Sequence, residues 1–150
     1  MNALTILTRC RNAETDKRRI RQQIERRREA ITCISPRMDA EGGGGGGDHD
    51  RIGAFVAAVT ELERRLAMRE RAQSVEAAAA CSFLDVLPDN ESAVLHQFYV
   101  KGNKVSAIAR QMGYSESYTR RLKAEGERRL LEIPESSVAS ALPAWYLERP

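Results

Sequence analysis

Six consecutive glycines, Gly42 to Gly47, stand between two segments whose apolar residues recur at helical spacing. Glycine loses the most backbone freedom on ordering and buries no side chain, so such a run resists any packed element. Residues 41–50 are therefore read as a flexible linker between two helices. A phosphate-binding loop is not indicated, since no Gly-Lys-Ser/Thr follows and no apolar strand precedes. Asp48, His49 and Asp50 are read as a solvated acidic helix start, with Asp48 or Asp50 as the cap, rather than as a metal cluster.

Before the linker, Ile20, Ile24, Ile31 and Ile34 fall at spacings of four, seven and three, which is one face of a helix from Asp16 to Ile34. The rest of that segment is nearly all Arg, Gln and Glu. Ser35-Pro36 is expected to end it, because the residue before proline is pushed out of the α region. After the linker come Ile52, Phe55, Val59, Leu62 and Leu66, then less cleanly Val75, Ala78, Ala79 and Leu84 to Leu87. That pattern reads as one long helix or two short ones in line. Narrow stripes on both sides of a flexible joint suit a coiled-coil-like antiparallel hairpin, Ile against Leu and Val. The same stripes also suit a homodimer or a partner helix.

With 30% charged and 5% aromatic residues, the composition favours helices over a β-sandwich. The net charge of +3 and pI near 8.9 fall short of a chain that is basic throughout. Locally the balance differs: residues 9–37 hold ten Lys or Arg against four acids, and the charged residues of 38–50 are all acidic. Cys10, Cys33 and Cys81 are odd in number, widely spaced and accompanied by two His, which indicates neither a disulfide framework nor a zinc site. Leu4 to Leu7 is too short for a signal peptide, and no apolar run reaches the length of a membrane span. These features place the chain in a reducing cytoplasm, without a membrane partner.

Pro88-Asp89-Asn90 interrupts the long pattern, and Asp89 or Asn90 is expected to cap a helix from Glu91 to Val100, ended by Lys101-Gly102-Asn103. Its apolar side carries Val94, Leu95, Phe98 and Tyr99. His96 there is read as a surface or core histidine, with no second ligand at helical spacing. Val105 to Met112 forms the next short helix. Gly113 then permits positive φ, and Ser115 caps another helix through Leu131. Two helices joined so closely cross steeply, and the small Ala109 lets them approach. Ile108, Met112, Tyr114 and Leu122 supply the shared core. The opposite face offers Glu116, Ser117, Arg120, Arg121 and Lys123. The start of the second helix of a helix-turn-helix enters the DNA major groove, where Arg bonds guanine and Ser or Glu read other base edges.

Val105 to Leu130, VSAIARQMGYSESYTRRLKAEGERRL, resembles region 4 of the sigma-70 class of transcription factors, and the preceding LPDNESAVLHQFYVKGN resembles its lead-in helix. Over residues 16 to 131 the layout is similar to small phage-encoded sigma-70-like regulators. The resemblance implies Glu116, Ser117, Arg120 and Arg121 at base edges, with Ser115 at the start of the same DNA-facing set. It implies Lys104, Arg110 and Lys123 at phosphates, and Tyr118 in the core or on the DNA backbone. Thr119 departs from the family's apolar β-branched residue, and Gly126 from its alanine. Glu116 replaces what is often a basic residue. The further domain that a complete sigma factor uses to open the duplex is not recognisable.

The expectation is an all-α fold. Residues 1–87 form the hairpin, 88–132 the helix-turn-helix domain, and 133–150 a tail whose Leu142, Trp145, Tyr146 and Leu147 dock on the chain's own helices. The expected function is a sequence-specific transcriptional regulator of phage or prophage type, with double-stranded DNA and host RNA polymerase as partners. One copy reads few bases, so two are expected to give a spaced repeat. Two other readings compete: a DNA-packaging adaptor of the small-terminase type, and a helical interaction module that ignores DNA. No nucleophile-base set, carboxylate pair or nucleotide loop suggests an enzyme, and no catalytic residue, metal or cofactor is assigned.

Overall fold

The computed structural model describes residues 1–40 and 46–149, and of residues 34–40 and 46–49 the helical backbone only. The described residues are helical and include no strand, in keeping with an all-α fold. The helices are α1 (Ala3–Ala40), α2 (Gly46–Leu84), α3 (Asp89–Leu95), α4 (Val105–Met112), α5 (Glu116–Leu131), α6 (Glu135–Ser140) and α7 (Ala144–Leu147), with a π-helical segment, His96–Val100, directly after α3. Two compact units result: residues 1–13 together with 71–150, and residues 14–70. This division cuts across the boundaries expected at 87 and 132, because both ends of the chain join one core.

α1 begins thirteen residues earlier than its isoleucine pattern suggests. Asn2 starts it, its Oδ1 accepting from the Thr5 amide at 2.9 Å, a side-chain cap on an otherwise orphaned donor. From there Ala3, Ile6, Leu7, Cys10 and Ala13 form a buried face. At the other end α1 continues through Ser35-Pro36 to Ala40, so the expected stop is overridden. Proline withdraws a single amide from the ladder, and the surrounding helical residues carry the path past it. α2 begins at Gly46, which shortens the expected linker and puts Asp48 and Asp50 inside the helix rather than at its cap. Asp48 still suits the first turn, where the helix dipole is positive. Residues 41–45, the rest of the expected linker, lie outside the described residues.

In the unit of residues 14–70, Ile24 and Leu62 are buried, and Ile20, Ile31, Ile52, Phe55, Val59 and Leu66 are half-buried. Ion pairs join the two helices: Arg21 to Glu70 at 3.4 Å and Arg28 to Glu63 at 2.8 Å. Residue numbers that rise along α1 fall along α2.

The larger unit packs α1's first turns against the end of α2, with Ala72, Ala79, Ala80, Phe83 and Leu84 facing Ala3, Ile6 and Leu7 in one core. Alanine stands on both sides of this contact. The tail closes this core: Val138, Leu142 and Tyr146 are buried in it, so it docks on the chain's own helices as expected. Pro134 and Pro143 stand immediately before α6 and α7, where a missing amide costs nothing. The Tyr146 hydroxyl donates to Glu76 Oε1 at 2.7 Å and accepts from Arg9 at 3.0 Å.

α3 starts at Asp89 itself, preceded by Pro88, so neither Asp89 nor Asn90 supplies the expected side-chain cap. The helix expected to reach Val100 as one piece widens at His96, where the Lys101 amide bonds back to the His96 carbonyl at 3.1 Å. A π turn loosens the regular ladder and leaves carbonyls for other donors. Arg11 takes this opportunity: its guanidinium donates to the Phe98 carbonyl and to that of Asn103 and lies 3.7 Å from the Phe98 ring centroid.

Tyr99 donates to Glu127 at 2.6 Å. Burial first, and these carboxylate partners second, push both Tyr99 and Tyr146 above the ordinary phenol range. A phenol raised on folding contributes stability that is complete below the unfolded value of about 10 and is lost as pH climbs through it towards the folded value. Melting temperature should therefore fall above about pH 10, and Tyr146→Phe should flatten part of that fall. The phenolate absorbance of Tyr99 and Tyr146 should appear only as the protein unfolds.

Candidate nucleic-acid interface

α4 ends at Gly113, whose φ of 71° and ψ of 27° lie in the left-handed region, and the Tyr114 amide closes the turn onto the Ala109 carbonyl at 2.9 Å. A side chain at that conformation would be strained, which explains glycine there. Ser115 then caps α5, its hydroxyl accepting from the Tyr118 amide at 3.1 Å. Ala109 is buried where the two helices meet. Ile108 and Leu122 pack with Val94 of α3, joined by Phe98, Met112, Tyr114 and Tyr118.

α5 has two distinct faces. Thr119, Leu122, Gly126 and Leu130 are buried at spacings of three and four, whereas Glu116, Ser117, Arg120 and Arg121 are exposed at offsets that keep them together on the other side. Arg120 lies 3.4 Å from Glu116, one turn apart. Arg121 rests over the Tyr118 ring at 5.1 Å, and Tyr118 meets Tyr114 edge to face at 5.0 Å. Both guanidiniums are thus steadied by a neighbour and remain open to solvent. Lys104, immediately before α4, and Arg110, in its last turn, are also exposed.

Lys123 is placed differently. Its ammonium pairs with Glu127 and sits 4.5 Å from the Phe98 ring centroid, on the flank that packs towards α3. Tyr118 is half-buried and divides its ring between the small core and Arg121. Ser115 is committed to capping.

Two residues that looked like departures have packing reasons. Thr119 is fully buried, and its hydroxyl donates to the Ser115 carbonyl at 2.9 Å, so its polar group is satisfied within the helix. Gly126 lies where α5 packs tightly on α3: a Cβ there would come within 2.6 Å of Leu95 Cδ1. Glycine in mid-helix is the one sequence signal that could have revealed this crossing. Beside it, Glu91 is buried and lies 3.1 Å from Arg129 Nε, an ionic contact that is not aligned as a hydrogen bond. No local pattern announces that pair or the Arg11 clasp.

Among the described residues no group of His, Cys, Asp and Glu could hold a metal ion, and no helix is long and apolar enough to cross a membrane. Set against known proteins, the chain matches no family model, no curated protein and no solved structure.

Proposed function

We propose that the chain is a sequence-selective DNA-binding regulator of transcription, similar in kind to the phage sigma-70 region 4-like proteins, and that α4, the Gly113 turn and α5 act as its helix-turn-helix. The observation that carries this reading is the division of α5: a packed face at Thr119, Leu122, Gly126 and Leu130, and an open face at Glu116, Ser117, Arg120 and Arg121. The left-handed turn at Gly113 and the Ser115 cap set α5 directly after α4 and put its exposed arginines in its first turns. In this reading Arg120 and Arg121 bond guanine edges, Glu116 and Ser117 discriminate at neighbouring bases, and Lys104 and Arg110 hold phosphates. The inward placement of Lys123 removes it from the phosphate set. The unit of residues 14–70 acts as an antiparallel helical hairpin, available for pairing two copies or for touching RNA polymerase.

Selection of bound fragments from the source genome tests this, using purified chain beside an Arg120→Ala/Arg121→Ala variant at two salt concentrations. A short motif is expected for the parent. Each good bidentate contact discriminates by about 1–3 kcal/mol, so the variant should lose the motif while keeping weak, salt-sensitive binding. A motif that survives in the variant would exclude α5's start as the reading element.

A further inference from the structure

The basic stretch of residues 9–37 is left unexplained by a reading helix at 116–131, and the structure sorts its cations, apart from Arg37 outside the described side chains, into two groups. Arg9 and Arg11 bond Tyr146, Phe98 and Asn103 in the larger unit, Lys17 pairs with Glu14, Arg21 with Glu70, and Arg28 with Glu25 and Glu63. Arg18, Arg19, Arg26 and Arg27 are exposed and, among the described residues, have no ion pair. At 3.6 residues per turn, Arg19, Arg26 and Arg27 fall within about 100° of one another around α1, with Arg18 outside that sector. Arg51 of α2, likewise exposed and without an ion pair among the described residues, lines the same hollow as Arg27, Ala54 and Phe55.

We infer that Arg19, Arg26, Arg27 and Arg51 form a second, sequence-blind contact to the phosphate backbone of duplex DNA, within the unit of residues 14–70. The inference rests on duplex DNA being the ligand of the proposed reading. Arginines with no ion pair among the described residues, gathered on one helix pair, repel one another, and a polyanion relieves that repulsion. Arg19 to Arg27 spans about 12 Å of helix, and one DNA strand presents a phosphate for every 3.4 Å or so of axis, so the stretch meets three or four phosphates. A membrane surface is a poorer fit. A helix lying on lipid needs an apolar face to insert, and Ile24, the centre of α1's apolar stripe, is buried within the unit.

Salt dependence of binding to duplex DNA reads this directly. A full-chain variant, Arg19→Gln/Arg26→Gln/Arg27→Gln/Arg51→Gln, should reduce the slope of log affinity against log salt by about 3, given roughly 0.9 per phosphate contacted. Its selected motif and melting temperature should match the parent's, since these side chains are exposed and, among the described residues, form no ion pair. The corresponding four-lysine variant should restore the slope, as point charges suffice for counterion release. An unchanged slope in the glutamine variant would overturn the inference, and so would loss of binding to poly-glutamate or to anionic vesicles in place of DNA. The two ideas fail separately. If Arg120→Ala/Arg121→Ala leaves the motif intact while the glutamine variant lowers the slope, the reading helix is wrong and the phosphate contact stands. If the motif depends on Arg120 and Arg121 while the slope stays fixed, the reverse holds.

Discussion

A chain truncated after residue 135 should fail to hold a fixed tertiary structure in the larger unit. The lost segment carries Val138, Leu142 and Tyr146, all buried in the main core. Fully burying side chains of this size stabilises by about 1.5–3 kcal/mol each, so their combined loss comes to about 5–9 kcal/mol. Small domains have only about 5–15 kcal/mol of net stability. Glu76, itself buried, also loses the Tyr146 hydroxyl that donates to it. Near-ultraviolet circular dichroism and thermal melting check the result: the expected outcome is a broad, early transition with helical signal largely kept. A sharp transition at the parent's temperature would mean that the tail is dispensable and its docking energetically idle.

Gly126→Val should be strongly destabilising although it replaces a mid-helix glycine. Glycine in a helix interior costs about 1 kcal/mol relative to alanine, so propensity alone predicts that a larger residue stabilises. Packing opposes this. Even a bare Cβ would stand 2.6 Å from Leu95 Cδ1 and 3.4 Å from Glu91 Cβ. Leu95 is completely buried, so its side chain can yield only by repacking within the core. Overpacking of this kind costs about 1–3 kcal/mol or more, and valine's branch adds atoms to the same clash. Gly126→Ala should therefore lower the melting temperature modestly and Gly126→Val strongly. Pairing Gly126→Ala with Leu95→Ala, which clears the space, should give a double variant more stable than the sum of the single effects predicts. Strict additivity would show that Leu95 is not what glycine accommodates.

What could be read from the sequence was what local chemistry decides. The α4 and α5 segments, the positive φ of Gly113 and the Ser115 cap each depend on a few adjacent residues, and all are found as expected. The shared core of Ile108, Met112, Tyr114 and Leu122 followed from spacing alone. Features decided by distant partners were not legible. The helix from Ala3 buries Ile6 and Leu7, but only Ala3, Cys10 and Ala13 share their face, too short and weak an apolar pattern to read as a helix stripe. Pro36 argued locally for a stop that the continuing helix ignores. Lys123 shared the spacing of an exposed face, yet Phe98 and Glu127, brought alongside by tertiary packing, draw it inward. Gly126 looked like a defect until Leu95 stood beside it. The open face of α5 was legible because exposure follows once the buried face is identified. The basic flank was not, because sorting free arginines from paired ones requires knowing where Glu63 and Glu70 lie.

The core that joins Ala3, Ile6 and Leu7 to Val138, Leu142 and Tyr146 also governs when a newly made molecule becomes competent. Pairings between residues so far apart in the chain form late and slowly, and on the ribosome this one must wait until residue 146 has left the exit tunnel. The helices of residues 14–70, whose partners are nearer in sequence, can associate well before then. A nascent or prematurely terminated polypeptide would thus display its long helices around an unfinished core, a form that quality-control proteases remove readily. Only molecules translated through the tail would then hold a finished core in the larger unit.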